Sequence, residues 1–181
     1  MSFAANTAII VLEILGISKG WKGRSWKYFA FYTILSNMMA LAASIVYLLA
    51  GGQGAVPCLR YLATCMLTMT FFVTACILVP GGGGFKQLML TGNGLYHHLI
   101  VPVLSVISYA FWEPHADMWL LPALTTLAYG AIMLLLNGLG KVDGPYPFFR
   151  VKNQSIAATI LWMLLLFGMI SGCSFLIAKI A

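Results

Sequence analysis

The chain has 181 residues, 61% of them hydrophobic and 8% charged, against about 25% charged in an average soluble domain, and its mean hydropathy is +0.94. This excludes a water-soluble enzyme, which needs far more polar surface, and a disordered chain, which is never this apolar. Ten Lys and Arg against four Asp and Glu give a formal charge of +6, but the charges lie between apolar runs, so they speak first of membrane topology and anionic lipid heads, not of nucleic acid.

A spanning helix takes about 20 residues, so six would use roughly 120 and leave no room for a soluble domain. Six apolar runs are present: Phe3–Ser18, Tyr28–Ala50, Val56–Val79, Leu95–Trp112, Met118–Leu139 and Ser155–Ala178. The expectation is therefore an all-α, polytopic transmembrane bundle forming a single integral membrane domain over residues 1–181. The first run is the weakest, being short and carrying Glu13. The separators have loop chemistry: Gly51, Gly52 and Gly54; Pro80 with Gly81 to Gly84; Pro114; and Gly144, Pro145 and Pro147.

Basic residues gather in alternate loops. Lys19, Lys22, Arg24 and Lys27, then Lys86, then Lys141, Arg150 and Lys152 fall on one side. Arg60 and Lys179 fall on the other, with Glu113 and Asp117. The positive-inside rule then puts these three loops in the cytoplasm and both termini outside. The N-terminal run has no basic stretch before it, so it reads as a retained span, not a secretory signal.

This topology gives each intramembrane polar residue a depth at about 1.5 Å per residue. Glu13, Thr33, Ser36, Asn37, His97, His98 and Asn137 come from four different spans and converge on one layer near the cytoplasmic face. Thr33, Ser36 and Asn37 share a helix face at i, i+3, i+4. His97 and His98 point about 100° apart. Each residue alone has a bland reading: a Thr back-bonding to a carbonyl, Ser and Asn joining helices, His snorkelling, Glu13 pairing with a loop base. Together they mark a functional layer, because ionisable groups in a membrane are costly.

Other motifs carry less. Gly16-Ile17-Ser18-Lys19-Gly20 matches GxSxG, but a nucleophile elbow needs a strand, a strained turn and a helix. No HExxH is present. His98 and His115 are a span apart and His97 and His98 adjacent, so neither pair brackets one haem. The glycine run 81–84 lacks the Walker pattern. Gly168 and Gly172 form a GxxxG in the last run, which predicts close helix packing. The four cysteines form no CxxC or zinc-spaced cluster and read as small packing residues. No cofactor and no metal is expected.

Four segments carry a resemblance. Tyr32-Thr33-Ile34-Leu35-Ser36-Asn37 opens the second run and Tyr96-His97-His98-Leu99-Ile100-Val101-Pro102 the fourth; Phe111-Trp112-Glu113 closes the fourth, and Gly144-Pro145-Tyr146-Pro147-Phe148-Phe149 lies in the last basic loop. In order and spacing, from about Tyr28 to Phe149, these resemble the androgen-induced protein family and its bacterial six-pass relatives. The resemblance implies an intramembrane hydrolase of fatty acid esters of hydroxy fatty acids or related lipids, using a Thr and a His, in the plasma membrane of a bacterium. It places Thr33 at the Thr position and His98 at the His position, with His97 as the alternative. Beside that carry-over, the chemistry of the residues themselves offers Asn37 or Asn137 for the oxyanion, Ser36 on the face shared with Thr33, and Glu13 to orient the imidazole. The implied partners are membrane lipids and a hydrophobic ester, not nucleic acid; the oligomeric state stays open. Two other classes fit the composition: a small-solute or proton transporter, with Arg60 and Glu113 as the outer half of a path, and a non-enzymatic lipid-binding protein.

Overall fold

The structure, a computed structural model, describes residues 1–21, 25–143 and 146–180. Lys22 and Arg24 of the charge count, Gly144 and Pro145 of the loop motif, and the Trp26 side chain lie outside what is described.

Six helices are long and apolar enough to cross a membrane: α1 (Ser2–Trp21), α2 (Tyr32–Ala50), α3 (Val56–Gly83), α4 (Gly92–Trp112), α5 (Leu120–Gly138) and α6 (Ile156–Ile180). No strand occurs among the described residues. The protein is thus an all-helical, multi-pass integral membrane protein. The apolar runs and the helices agree to within a few residues except at two starts and one end, where α3 runs on to Gly83 through Pro80 and the glycines read as a separator. A 3-10 turn, Trp26–Ala30, precedes α2, and the chain is extended at Phe31, so α2 begins at Tyr32, and Thr33 sits in its first turn, not inside an established helix. The fourth helix begins at Gly92, ahead of Leu95.

Helix α3 is the centre of the bundle, with 56% of its apolar window buried, the largest share of the six. It packs against α2, α4, α5 and α6; α1 lies against α2 and α4, and α5 against α6. One core cluster, with Ile9, Ala40, Ala43, Ala63, Leu67 and Val101, joins α1 to α4. The larger one joins α2, α3, α5 and α6 and takes in Tyr146, Phe148 and Phe149 from the α5–α6 loop. Apolar transfer drives little helix association in lipid, so close packing and internal hydrogen bonds hold such bundles together.

Two prolines shape the site end. Pro80 lies inside α3 and Pro102 inside α4. Each lacks an N–H and crowds the carbonyl four residues earlier. Around them the helices widen to π-helical turns, Thr74–Gly83 and Leu95–Ile100. Pro102 leaves the His98 carbonyl without its ordinary helical donor, and the Val101 N–H reaches back to the Tyr96 carbonyl. Such turns cluster at functional sites, and here one carries both membrane histidines.

The glycine pairs behave differently from their motif readings. Gly16 and Gly20 lie within α1, where Ser18 Oγ donates to the Leu15 carbonyl at 3.0 Å; no nucleophile elbow forms. A Cβ on Gly16 would run into the His97 ring, and one on Gly20 into the Tyr28 hydroxyl. These glycines let α4 and the chain before α2 approach α1. By contrast, a Cβ on Gly168 or Gly172 would meet nothing within 4 Å. The GxxxG of α6 faces outward, so the close helix packing expected there is not made with the described residues of this chain. All four cysteines are free, with Cys65 and Cys173 buried.

Candidate active site

Thr33 lies in the first turn of α2, where backbone N–H groups have no intrahelical acceptor. Phe31 precedes that turn without a side-chain cap. The Tyr146 hydroxyl fills the role. It accepts the Thr33 N–H at 3.2 Å and exchanges a second hydrogen bond with Thr33 Oγ1 at 3.1 Å. Ser36 Oγ and Asn37 Nδ2 both donate to the Thr33 carbonyl, at 2.9 and 2.6 Å, and Ser36 Oγ also meets Thr70 Oγ1 of α3 at 2.9 Å. The shared face of Thr33, Ser36 and Asn37 therefore stiffens the turn that presents the Thr33 hydroxyl.

Tyr146 comes from the α5–α6 loop, 113 positions from Thr33. Asn137, at the end of α5, fastens that loop: its Nδ2 donates to the Val142 carbonyl and its Oδ1 accepts the Val151 N–H, both at 2.9 Å. The Tyr146 ring stacks on Phe148 at 5.1 Å and meets Phe31 edge-on at 5.8 Å. Burial raises the Tyr146 phenol above its ordinary pKa, opposed by its bonds to Thr33, so it stays protonated at neutral pH.

His98 is half-buried on the π-helical turn of α4. Its Nδ1 lies 2.7 Å from the Leu88 carbonyl. A carbonyl only accepts, so Nδ1 carries the proton and Nε2 keeps a lone pair. Thr33, Tyr146 and His98 line one cavity of about 590 Å³. Among the described residues, Thr33 and His98 form no direct hydrogen bond; the partner of the Thr33 hydroxyl is Tyr146.

His97 points elsewhere. It is fully buried, with Nε2 3.5 Å from Glu13 Oε2 of α1. Glu13 thus faces His97, not His98. Apart from that contact, neither the carboxylate nor the imidazole has a hydrogen-bond partner among the described residues. The two amides suggested for an oxyanion are both engaged, Asn37 on the Thr33 carbonyl and Asn137 on the loop.

Six of the seven polar residues of the layer therefore fall into three groups: Thr33 with His98 at a cavity, Ser36 and Asn37 beneath Thr33, and Glu13 with His97 between α1 and α4. Asn137 stands apart as the anchor of the Tyr146 loop. Tyr146 is the residue that motif reasoning passed over; its signal was a phenol between prolines in the loop segment of the resemblance. No cluster of three or more His, Cys, Asp or Glu occurs among the described residues.

A second buried network lies toward the other end of the bundle. Arg60 Nε and Nη2 donate to Glu113 at 2.8 and 3.1 Å, and Arg60 also donates to Ser44 and Ser105. Asn6 Nδ2 donates to Glu113 Oε1 at 3.0 Å. Both charged side chains are fully buried, so they form a closed four-helix tie.

Compared with protein-family models, with curated proteins and with solved structures, the chain matches none.

Proposed function

We propose that this protein is an intramembrane lipid ester hydrolase in which Thr33 is the nucleophile and His98 the general base, as the resemblance to the androgen-induced protein family implies. The observation that carries the reading is that Thr33 and a His98 with its Nδ1–H fixed on a carbonyl line the same cavity. A Thr hydroxyl is a weak nucleophile and needs such a base. Thr33 Oγ1 attacks the ester carbonyl carbon, and its proton passes to His98 Nε2. The ester C–O bond breaks, and His98 returns the proton to the departing alcohol. Water then hydrolyses the Thr33 acyl ester with His98 again as base. The developing oxyanion is served by the Tyr146 O–H and by the positive end of the α2 dipole. The substrates are fatty acid esters of hydroxy fatty acids or related lipids, entering from the bilayer.

The same reading sets the basic loops and this site at the cytoplasmic face of a bacterial plasma membrane, with both termini outside. The pairing of Arg60 with Glu113 tells against the transporter alternative as framed on those two residues, because each is engaged by the other inside the bundle.

The test is ester hydrolysis by the purified protein in liposomes, with Thr33→Ala and His98→Ala compared after each is shown folded. Turnover by wild type and loss of about 10²-fold or more in both variants is expected. Full turnover by Thr33→Ala would sink the mechanism.

A further inference from the structure

A second, narrower cavity shares Thr33, Tyr146, Phe148 and Leu78 with the first as walls. The narrow one runs between α3, α5 and α6, and its volume is about 50 Å³ against about 590 Å³ for the wide one. Its walls contain several hydroxyls, and apart from Thr74 and the Thr33–Tyr146 pair these are engaged elsewhere. Tyr32 pairs with Thr126 at 2.7 Å, Tyr129 donates to the Ala30 carbonyl at 2.7 Å, and Thr70 is held by Ser36 and the Met66 carbonyl. The slot is therefore largely apolar, with the Thr33–Tyr146 pair as its polar end and the Thr74 hydroxyl on its α3 wall. At its other side stand Leu127 of α5 and Phe167 of α6, 46% and 40% exposed on the outer surface of the bundle.

We propose that this slot is an acyl-chain channel: it takes the unbranched hydrocarbon chain of the ester, leads it out between α5 and α6 into the bilayer, and leaves the wide cavity beside His98 for the alcohol. The role of Thr33 in cleavage rests on the hydrolase reading; the binding of a chain does not. One water-sized group takes about 10–15 Å³ of such space, so the slot holds only a short stretch of methylenes and the rest must continue into lipid. A channel this narrow excludes branching next to the carbonyl. It also orients the substrate, since chain and alcohol would occupy compartments of different width on either side of the nucleophile.

Gly130 is the position at which to close the channel. A Cβ there stands 3.6 Å from Met163 Sδ and 3.9 Å from the Phe149 ring, so a Phe side chain would extend into the slot. Met163→Phe closes it from α6 and serves as the second variant if Gly130→Phe fails to fold.

The probe is a long-chain fatty acid bearing a diazirine on its chain, photolysed in liposomes containing the protein, with labelled peptides mapped by mass spectrometry. The expected label falls on the α5 and α6 segments around Gly130 and Met163 and drops at least fivefold in either variant. Labelling that avoids these segments, or is unchanged in both variants, overturns the channel. In parallel, hydrolysis of a palmitate ester is compared with that of an acetate ester; the palmitate-to-acetate ratio is expected to fall at least tenfold in the variants. An inert wild type that is still labelled in the slot refutes the hydrolase and keeps the channel. An active wild type with an unshifted ratio refutes the channel and keeps the hydrolase.

Discussion

The Tyr146 hydroxyl meets Thr33 twice, accepting its backbone N–H at 3.2 Å and exchanging a hydrogen bond with its Oγ1 at 3.1 Å. One phenol thus completes the open first turn of α2 and touches the atom assigned as nucleophile. Tyr146→Phe keeps the ring and its stacking on Phe148 while removing both bonds. Ester turnover should fall by about 10²-fold, the usual effect of losing one preorganised donor. Stability should fall by about 1–3 kcal/mol, because the Thr33 N–H loses its partner. Parallel rate and thermal-unfolding measurements separate the two effects; full turnover in the variant would remove Tyr146 from the reaction.

The raised pKa of Tyr146 has a pH consequence with a definite sign. In the unfolded chain a phenol loses its proton near pH 10, whereas burial holds it on in the folded protein. Above that pH the unfolded state binds fewer protons than the native state, so stability falls as pH rises. The contribution is fully present below about pH 10. Wild type should therefore lose more stability than Tyr146→Phe between pH 9 and 11. Identical slopes in thermal denaturation would show that Tyr146 is not held in its neutral form.

Asn137 illustrates what was legible beforehand and what was not. Its type and its place in the last turn of a span mark it as a polar residue at the site's depth, but not which of its atoms bonds to what. Hydropathy located all six helices because a span of about 20 apolar residues is a long-range constraint written locally. Pro80 reads in the sequence as a break after the third run, but it lies inside α3, in the π-helical segment that follows from its missing N–H. The Thr33–Tyr146 contact bridges 113 positions and the Arg60–Glu113 pair 53; neither leaves a periodic trace. Arg60 and Glu113 each look like an interfacial charge near a helix end until the fold brings them together. The start of α2 was misplaced because Tyr28–Ala30 is as apolar as the helix that follows.

Asn137→Ala should loosen the loop carrying Tyr146, since it removes the acceptor for the Val151 N–H and the donor to the Val142 carbonyl. The expected cost is about 1–3 kcal/mol, with faster amide exchange at Val151. Asn137→Asp retains the acceptor and should fall between wild type and Ala. If both variants match wild type in exchange and stability, the anchor role is wrong.

The Arg60–Glu113 tie makes a sharper prediction. Removing one member of a buried pair strands the other charge, at about 3–5 kcal/mol. Arg60→Met should lower the unfolding midpoint strongly, and Arg60→Met with Glu113→Gln should recover part of the loss, because Gln is neutral and Asn6 and Ser108 still surround it. Denaturation of the purified variants in mixed micelles decides it. A double variant no better than Arg60→Met would mean that charge stranding is not the cost.

Gly16 and Gly168 belong to two G-x-x-x-G pairs on different helices, and their surroundings predict opposite outcomes. At Gly16 a methyl group meets the ring of His97, with Cδ2 2.7 Å from the Cβ position. That ring is fully buried beside Glu13, so it has little room to retreat. Gly16→Ala should cost about 1–3 kcal/mol by overpacking. It should also disturb α4 next to His98, lowering ester turnover together with stability. At Gly168 nothing lies within 4 Å, and Ala is the better helix former by about 1 kcal/mol. Gly168→Ala should therefore leave stability and turnover unchanged or slightly raise stability. If Gly168→Ala destabilises the protein in liposomes while Gly16→Ala does not, the close approach lies on α6, between copies of the chain, and not between α1 and α4.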